Sequence, residues 1–489
     1  MQVTRQKPIV TTLKPSNHPY LNGAWTPIHE EVDAVDLDVI EGAIPKDIDG
    51  IYLRNTENQV HQPLGRYHPF DGDGMIHQIS FQDGHASYRN RWVRTRCFAA
   101  EQEAKGSLWG GLMDRWGTSQ RPGFGAHGGL KDSSSTDVIV HAGRALSTFY
   151  QCGEPYLVDL DSLETIGPAY WGPLDGVSAH PKVDERTGEL MFFNYSTHAP
   201  YMHYGLVDAD NKLVQYRPVP LQGPSLPHDM AFTKNYVILN DFPLHWDLEA
   251  LKLNAHVVRM HKRPSRFAIL PRRGDGEIRW FEAAPTFVLH FTNAYEEGDE
   301  IVVDGYFQSN PEPGKLKGAP EGYEHMMGHL DQHSTQSRLY RWRFNLKDGT
   351  TKEQPLDDRI VEFGTINQRF AGKPYRYVYS TTAKPGWFLF NGFVKNDVQT
   401  GEVETYQLPE GRYASEAPFA PRIGATDEDD GYLVSFIIDE NAGKSECVLI
   451  DCKRFADGPV VRIALPHKIS SGTHACWADR DFIREGKRP

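Results

Sequence analysis

Val288-Leu289-His290-Phe291-Thr292-Asn293-Ala294-Tyr295-Glu296-Glu297-Gly298-Asp299, running on into the β-branched stretch Glu300–Gln308, places a histidine beside strand and turn chemistry. Three further histidines stand in comparable settings: His180 in Ser178-Ala179-His180-Pro181-Lys182, His228 in Pro227-His228-Asp229-Met230, and His474 in Gly472-Thr473-His474-Ala475-Cys476-Trp477. They are spread from residue 180 to residue 474, so no single helix or loop can hold them together as an H-E-x-x-H helix would. Only a fold that returns its chain repeatedly to one axis converges them.

The rest of the chain agrees with a β-rich fold. Runs rich in β-branched and aromatic residues predict strands over residues 137–141, 190–195, 236–240, 300–308, 338–346, 375–381, 387–394, 432–438, 447–451 and 460–465. Turn signals such as Gln82-Asp83-Gly84, Lys347-Asp348-Gly349 and Asp430-Gly431 separate them, and 44 glycines and 33 prolines disfavour long helices. Helical patterns are few, with residues 247–254 and 99–113 the best candidates. No internal repeat, low-complexity linker or charge block marks a boundary, so one main domain is the economical reading.

Composition excludes several classes of function. Lys and Arg number 52 against 65 Asp and Glu, a net charge of −13, which repels phosphate backbones and makes nucleic acid an unexpected partner. The five cysteines, Cys97, Cys152, Cys447, Cys452 and Cys476, are odd in number and lack C-x-x-C spacing. Neither a disulfide framework nor a zinc knuckle is expected. The start of the chain, MQVTRQKPIVTTLKPSNHPY, has no apolar stretch of signal-peptide length, and no apolar run approaches the ~20 residues that span a bilayer. These features predict a soluble cytoplasmic protein, at most peripheral to a membrane.

Four neutral imidazoles suit iron, copper, zinc or nickel and leave the ion its full charge. Compensation then belongs in carboxylates that accept the second ring N–H. Glu362, in Val361-Glu362-Phe363-Gly364, and Glu416, in Ser415-Glu416-Ala417-Pro418, are flanked by apolar residues and are candidates for that role.

Taken in order, Phe70-Asp71-Gly72-Asp73-Gly74-Met75, the His180 segment, Pro227-His228-Asp229, the His290 segment, Glu362, Ser415-Glu416-Ala417-Pro418 and His474-x-x-Trp477 resemble the carotenoid cleavage oxygenase family. The likeness runs from about residue 35 to the C-terminus, leaving residues 1–34 as an N-terminal extension and 35–489 as a single oxygenase domain. It implies an all-β, seven-bladed β-propeller capped by loops and short helices. His180, His228, His290 and His474 would bind Fe(II), with Glu362 and Glu416 as outer acceptors beside an apolar tunnel. The implied reaction is cleavage of an alkene C=C bond by O2 to two carbonyl products.

A third glutamate of the family is missing. Counting back from Pro155-Tyr156 puts Gln151 in its place, counting forward from Thr136 puts Tyr150 there, and Glu154 is the alternative source of charge. Glutamine accepts a hydrogen bond but supplies no charge. Thr136 matches a family threonine near the open metal position, and Phe70 is a further pocket residue.

Family members divide between isoprenoid polyenes and phenolic stilbenes or propenylphenols. Leu112 stands where stilbene-type members carry a tyrosine, and Phe149 or Tyr150 where they carry a lysine, so the phenol-activating pair is absent. The segment 116–125 resembles the insertion of carotenoid-cleaving members. Leu108, Trp109, Leu112, Met113 and Trp116 form an apolar surface for either membrane contact or internal packing. A carotenoid or apocarotenoid is the expected substrate, and an aryl-alkene the alternative. A non-oxidative retinoid isomerohydrolase and a non-catalytic carotenoid-binding propeller are further readings.

Overall fold

The computed structural model describes residues 1–114, 116–123, 130–171, 176–252 and 256–487. Among the described residues strand pairing is antiparallel and mostly between neighbours in sequence. Four sheets of four strands each are built from Asp137–Pro168, Lys182–Pro220, Ala231–Ala283 and Phe287–Pro355. A two-stranded excursion, Leu244–Trp246 with Val258–Met260, leaves the third of these. Residues 361–464 form a ten-stranded sheet with Val39–Gly42 on its edge, and its two halves meet at Phe390 and Ala414.

The remaining sheet joins the two ends of the chain. Ala475–Asp479 pairs with Gly50–Arg54, putting Trp477 opposite Tyr52 and Ala475 opposite Arg54. Gly50–Arg54 in turn pairs with Asp73–Gln82. Residues 1–34 are tied to this sheet: Gln2–Pro8 pairs with Glu30–Val35, which pairs with His85–Trp92. Tyr20 and Trp25 from the same region are buried in the core.

The strand expectations match observed strands to within a few residues. The largest shift is at 387–394, where the strand is Phe390–Asp397. Lys384-Pro385-Gly386-Trp387 makes a tight turn first, with the Trp387 N–H donating to the Lys384 carbonyl and Gly386 at φ +78°. Proline before a glycine of positive φ is the chemistry of a type II turn, so the strand starts after it.

The earlier of the two expected helices is shorter than expected and starts sooner. The predicted helix over 99–113 is Arg96–Ala104, opened by the Thr95 side chain accepting from the Phe98 N–H and ended by Lys105 in the left-handed conformation. The helix predicted at 247–254 is seen over Leu248–Lys252, and residues 253 and 254 lie outside the described residues. Among the described residues no helix is long and apolar enough to cross a membrane. None of the five cysteines is in a disulfide among the described residues, and four of them are buried.

Candidate metal centre

Four different sheets bring the four histidines together. His180 immediately precedes the strand Lys182–Asp184, His228 precedes Ala231–Phe232, His290 lies within Phe287–Glu297, and His474 leads into Ala475–Asp479. At His290 the pairing with Glu300–Gln308 slips between Val288 and Phe291, a bulge that re-aims the imidazole. The four ring nitrogens lie within 4.8 Å of one another. His180 Nε2 and His228 Nε2 are 3.0 Å apart, the spacing of adjacent nitrogens at right angles on an ion with bonds of about 2.1 Å.

The donor set fits a metal ion. His290 Nε2 is buried with no hydrogen-bond partner, an orphan that a cation at the centre of the cluster satisfies. Burial, reinforced by the neighbouring imidazoles, holds His180 and His290 well below the ordinary histidine range, and burial brings His228 down to about 3. These rings are neutral and offer lone pairs. For His474 burial also lowers the pKa, but the Glu416 carboxylate against it prevails and raises it.

Carboxylates accept from the outward nitrogens. His290 Nδ1 lies 2.7 Å from Glu362 Oε2, His474 Nδ1 lies 3.2 Å from Glu416 Oε2, and His180 Nδ1 lies 2.9 Å from Asp137 Oδ2. Each acceptor is clamped by a backbone donor: Phe363 N–H on Glu362, Ala475 N–H on Glu416 and Val138 N–H on Asp137, each at 2.7 Å. Phe363 has φ +54°, rare for a side chain of its size, at a break in the pairing of Val361–Thr365. That conformation lays its ring 4.7 Å from the His290 ring and 4.9 Å from the His474 ring.

Asp229 links two ligand segments. Its carboxylate accepts from the Phe291 N–H at 2.8 Å and pairs with Lys182 Nζ at 2.7 Å, tying the His228 loop to the His290 strand and to the residue two beyond His180. A cavity of about 180 Å³ opens on this polar side, lined by Asp137, Lys182, Asp229, Glu416 and three of the imidazoles.

An aromatic wall extends from the centre. Phe363 contacts Phe388 (5.9 Å between centroids), Phe388 contacts Phe70 (5.5 Å), and Phe70 contacts Tyr150 (5.8 Å), which leans on Phe149 (5.0 Å). Leu112 and Phe149 line a further cavity with Tyr67, Trp109 and Leu130. Thr136 is buried, and its hydroxyl accepts from the Tyr150 N–H at 3.2 Å. Its carbonyl lies within hydrogen-bond reach of the Thr473 hydroxyl, which also lies 3.1 Å from Glu57 Oε1, a carboxyl that burial raises to about 8.

Gln151 is buried beside the Tyr150 hydroxyl and makes no hydrogen bond to the four imidazoles. Glu154 does not reach inward, because it pairs with Arg96 and accepts from Tyr156. The expected apolar surface over 108–116 turns inward at Trp109, which is 3% exposed, and Met113 packs on the core. The Trp116 side chain and the end of segment 116–125 lie outside the described residues. Sequence reasoning missed Asp137, Phe363 and Phe388. For Asp137 the available signal was an acidic residue opening the buried strand Asp137–His141.

The retinal pigment epithelial membrane protein family model matches residues 25–479. A carotenoid 9,10(9',10')-cleavage dioxygenase 1 of Pisum sativum is 33% identical over 96% of this chain and 91% of its own length. An isoeugenol monooxygenase of Pseudomonas putida is 32% identical over 95% of this chain and 99% of its own. The crystal structure of the lignostilbene dioxygenase of Pseudomonas brassicacearum superposes with a TM-score of 0.84 at 27% identity, covering 96% of this chain and all of that one. Fold and site thus define an oxygenase of the oxidative-cleavage type. The chain belongs to the carotenoid cleavage oxygenase family, which the retinal pigment epithelial membrane protein model describes.

Proposed function

We propose that this protein is an Fe(II)-dependent dioxygenase that cleaves a C=C bond of a carotenoid or apocarotenoid with O2, giving two carbonyl products. The observation that carries the reading is the four-imidazole cluster adjoining an uncharged aromatic wall. His180, His228, His290 and His474 would hold the ion through neutral nitrogens, with Glu362 and Glu416 fixing the tautomers of His290 and His474. The chemistry Fe(II) supplies when bound is activation of O2 toward the alkene. Phe363, Phe388, Phe70 and Tyr150 exclude water and hold a flat, apolar chain by shape, which positions a double bond without a charged anchor.

The polyene reading is supported by Leu112 and Phe149 in the neighbouring cavity and by Tyr150 on the wall, none of which can deprotonate a phenol. Cleavage of a stilbene or propenylphenol is the second reading, favoured by the two Pseudomonas relatives. We read the strands as a seven-bladed propeller over residues 35–489, with residues 1–34 laid against it. Supporting this are the four four-stranded sheets, the division of the ten-stranded sheet at Phe390 and Ala414, and the pairing of the C-terminal strand with Gly50–Arg54. Five cysteines outside any disulfide accord with a reducing cytoplasm. Leu108, Leu112 and Met113, half-buried, are what remains to support a peripheral membrane contact.

The test is anaerobic reconstitution of metal-free protein with Fe(II), then exposure to O2 with β-apocarotenals and hydroxystilbenes, reading products by mass and O2 uptake. One O2 consumed per apocarotenal cleaved is the expected result. Aldehydes from the stilbenes alone overturn the substrate choice, and polyene binding without O2 uptake overturns the reaction.

A further inference from the structure

Glu362, Glu416 and Asp137 share one construction. Each accepts an imidazole Nδ1–H and a backbone N–H, so its free lone pairs are aimed rather than mobile. Gln151, where the third acceptor is expected, is neutral and bonds to none of the four imidazoles. Among the described residues the side-chain contact recorded for His228 is that of its Nε2 with His180 Nε2. The carboxyl support is therefore uneven: a carboxyl oxygen meets Nδ1 of His180, His290 and His474, and among the described residues none meets His228.

We infer that Asp137 is the positioning residue for His180. It supplies from outside position 151 the third carboxyl partner of the metal centre and leaves His228 as the one imidazole of the four without such a partner. This rests on the metal-centre reading above. Asp137 acts in two ways. Accepting the Nδ1–H locks His180 in the tautomer whose lone pair lies on Nε2, facing His228, and the same hydrogen bond makes that nitrogen a stronger donor. The Val138 N–H on the other carboxylate oxygen prevents Asp137 from turning away. Gln151 then packs the wall against Tyr150 without tuning the metal.

The experiment titrates metal-free, full-length protein with Co(II) in competition with a chelator, for wild type, D137N and Gln151→Met. Wild type binds one equivalent; D137N binds about ten- to a hundredfold more weakly, and Gln151→Met within about threefold of wild type. The metal-free melting temperatures of the three agree within about 3 °C, which separates positioning from a general loss of structure. A second measurement needs no variant: Zn(II)-loaded wild type labelled with 15N-histidine shows three carboxylate-bonded Nδ1–H protons among its ligands. Co(II) binding by D137N within threefold of wild type, equal weakening by Gln151→Met, or only two such protons overturns the role of Asp137. Absence of Co(II) binding by wild type overturns the metal-centre reading itself.

Discussion

Glu362 Oε2 accepts from His290 Nδ1 and from the Phe363 N–H, both at 2.7 Å, so one oxygen orients the ligand and holds the backbone that lays Phe363 over the imidazoles. In the proposed enzyme, metal retention and the aromatic wall are therefore coupled through one carboxyl group. The E362Q variant replaces the carboxyl with an amide and keeps one acceptor. It should weaken Fe(II) or Co(II) binding by about tenfold or more, read by calorimetry, while the metal-free fold survives.

Arg54 couples the chain-closing sheet to two site loops. Fully buried, it donates to Ser415 Oγ at 2.7 Å, Thr56 Oγ1 at 2.9 Å and the Ser470 carbonyl at 2.7 Å. Ser415 precedes Glu416, and Ser470 lies four residues before His474. Arg54→Met leaves those acceptors without a donor and should cost about 3 kcal/mol in denaturant unfolding. Metal affinity should fall in the same variant; unchanged stability would contradict this account.

Phe388 sits at the junction of the aromatic wall, touching Trp25, Phe70, Phe363 and Phe390, and is 5% exposed. Phe388→Ala should destabilise the fold by about 3–5 kcal/mol. The opened space should also broaden the choice of cleaved double bond. A single product from the variant, identical to that of wild type, would show that the wall does not set the register of the substrate.

Asp132 provides a pH signature remote from the imidazoles. Burial raises its pKa to about 7; the Glu154 N–H bonds one oxygen, and the other has no partner. A carboxyl raised on folding contributes stability that is present below its unfolded pKa of 3.8 and lost as pH rises through about 7. Asp132→Asn, which never ionises, should therefore gain on wild type by about 1 kcal/mol between pH 6 and pH 8. Thermal melts across that range measure it, and a constant difference would place Asp132 in a wetter setting.

Much of the centre was legible in the chain. The histidines and Glu362 and Glu416 stand in short contexts distinctive enough to be matched in order, and the strands follow β-branched runs whose period is local. Those features reside in contiguous residues, so sequence alone determined a β-rich chain with four histidines that must converge. The partner of His180 could not be read in that way. Asp137 and His180 lie 43 residues apart on neighbouring sheets, and their 2.9 Å contact exists because the sheets turn these two side chains toward one point. The inward turn of Trp109 was equally hidden, since an apolar run looks the same whether it faces a membrane or a core. Tertiary structure decided which carboxylate serves which imidazole, because a hydrogen bond depends on distance and direction between residues whose identities carry no record of either.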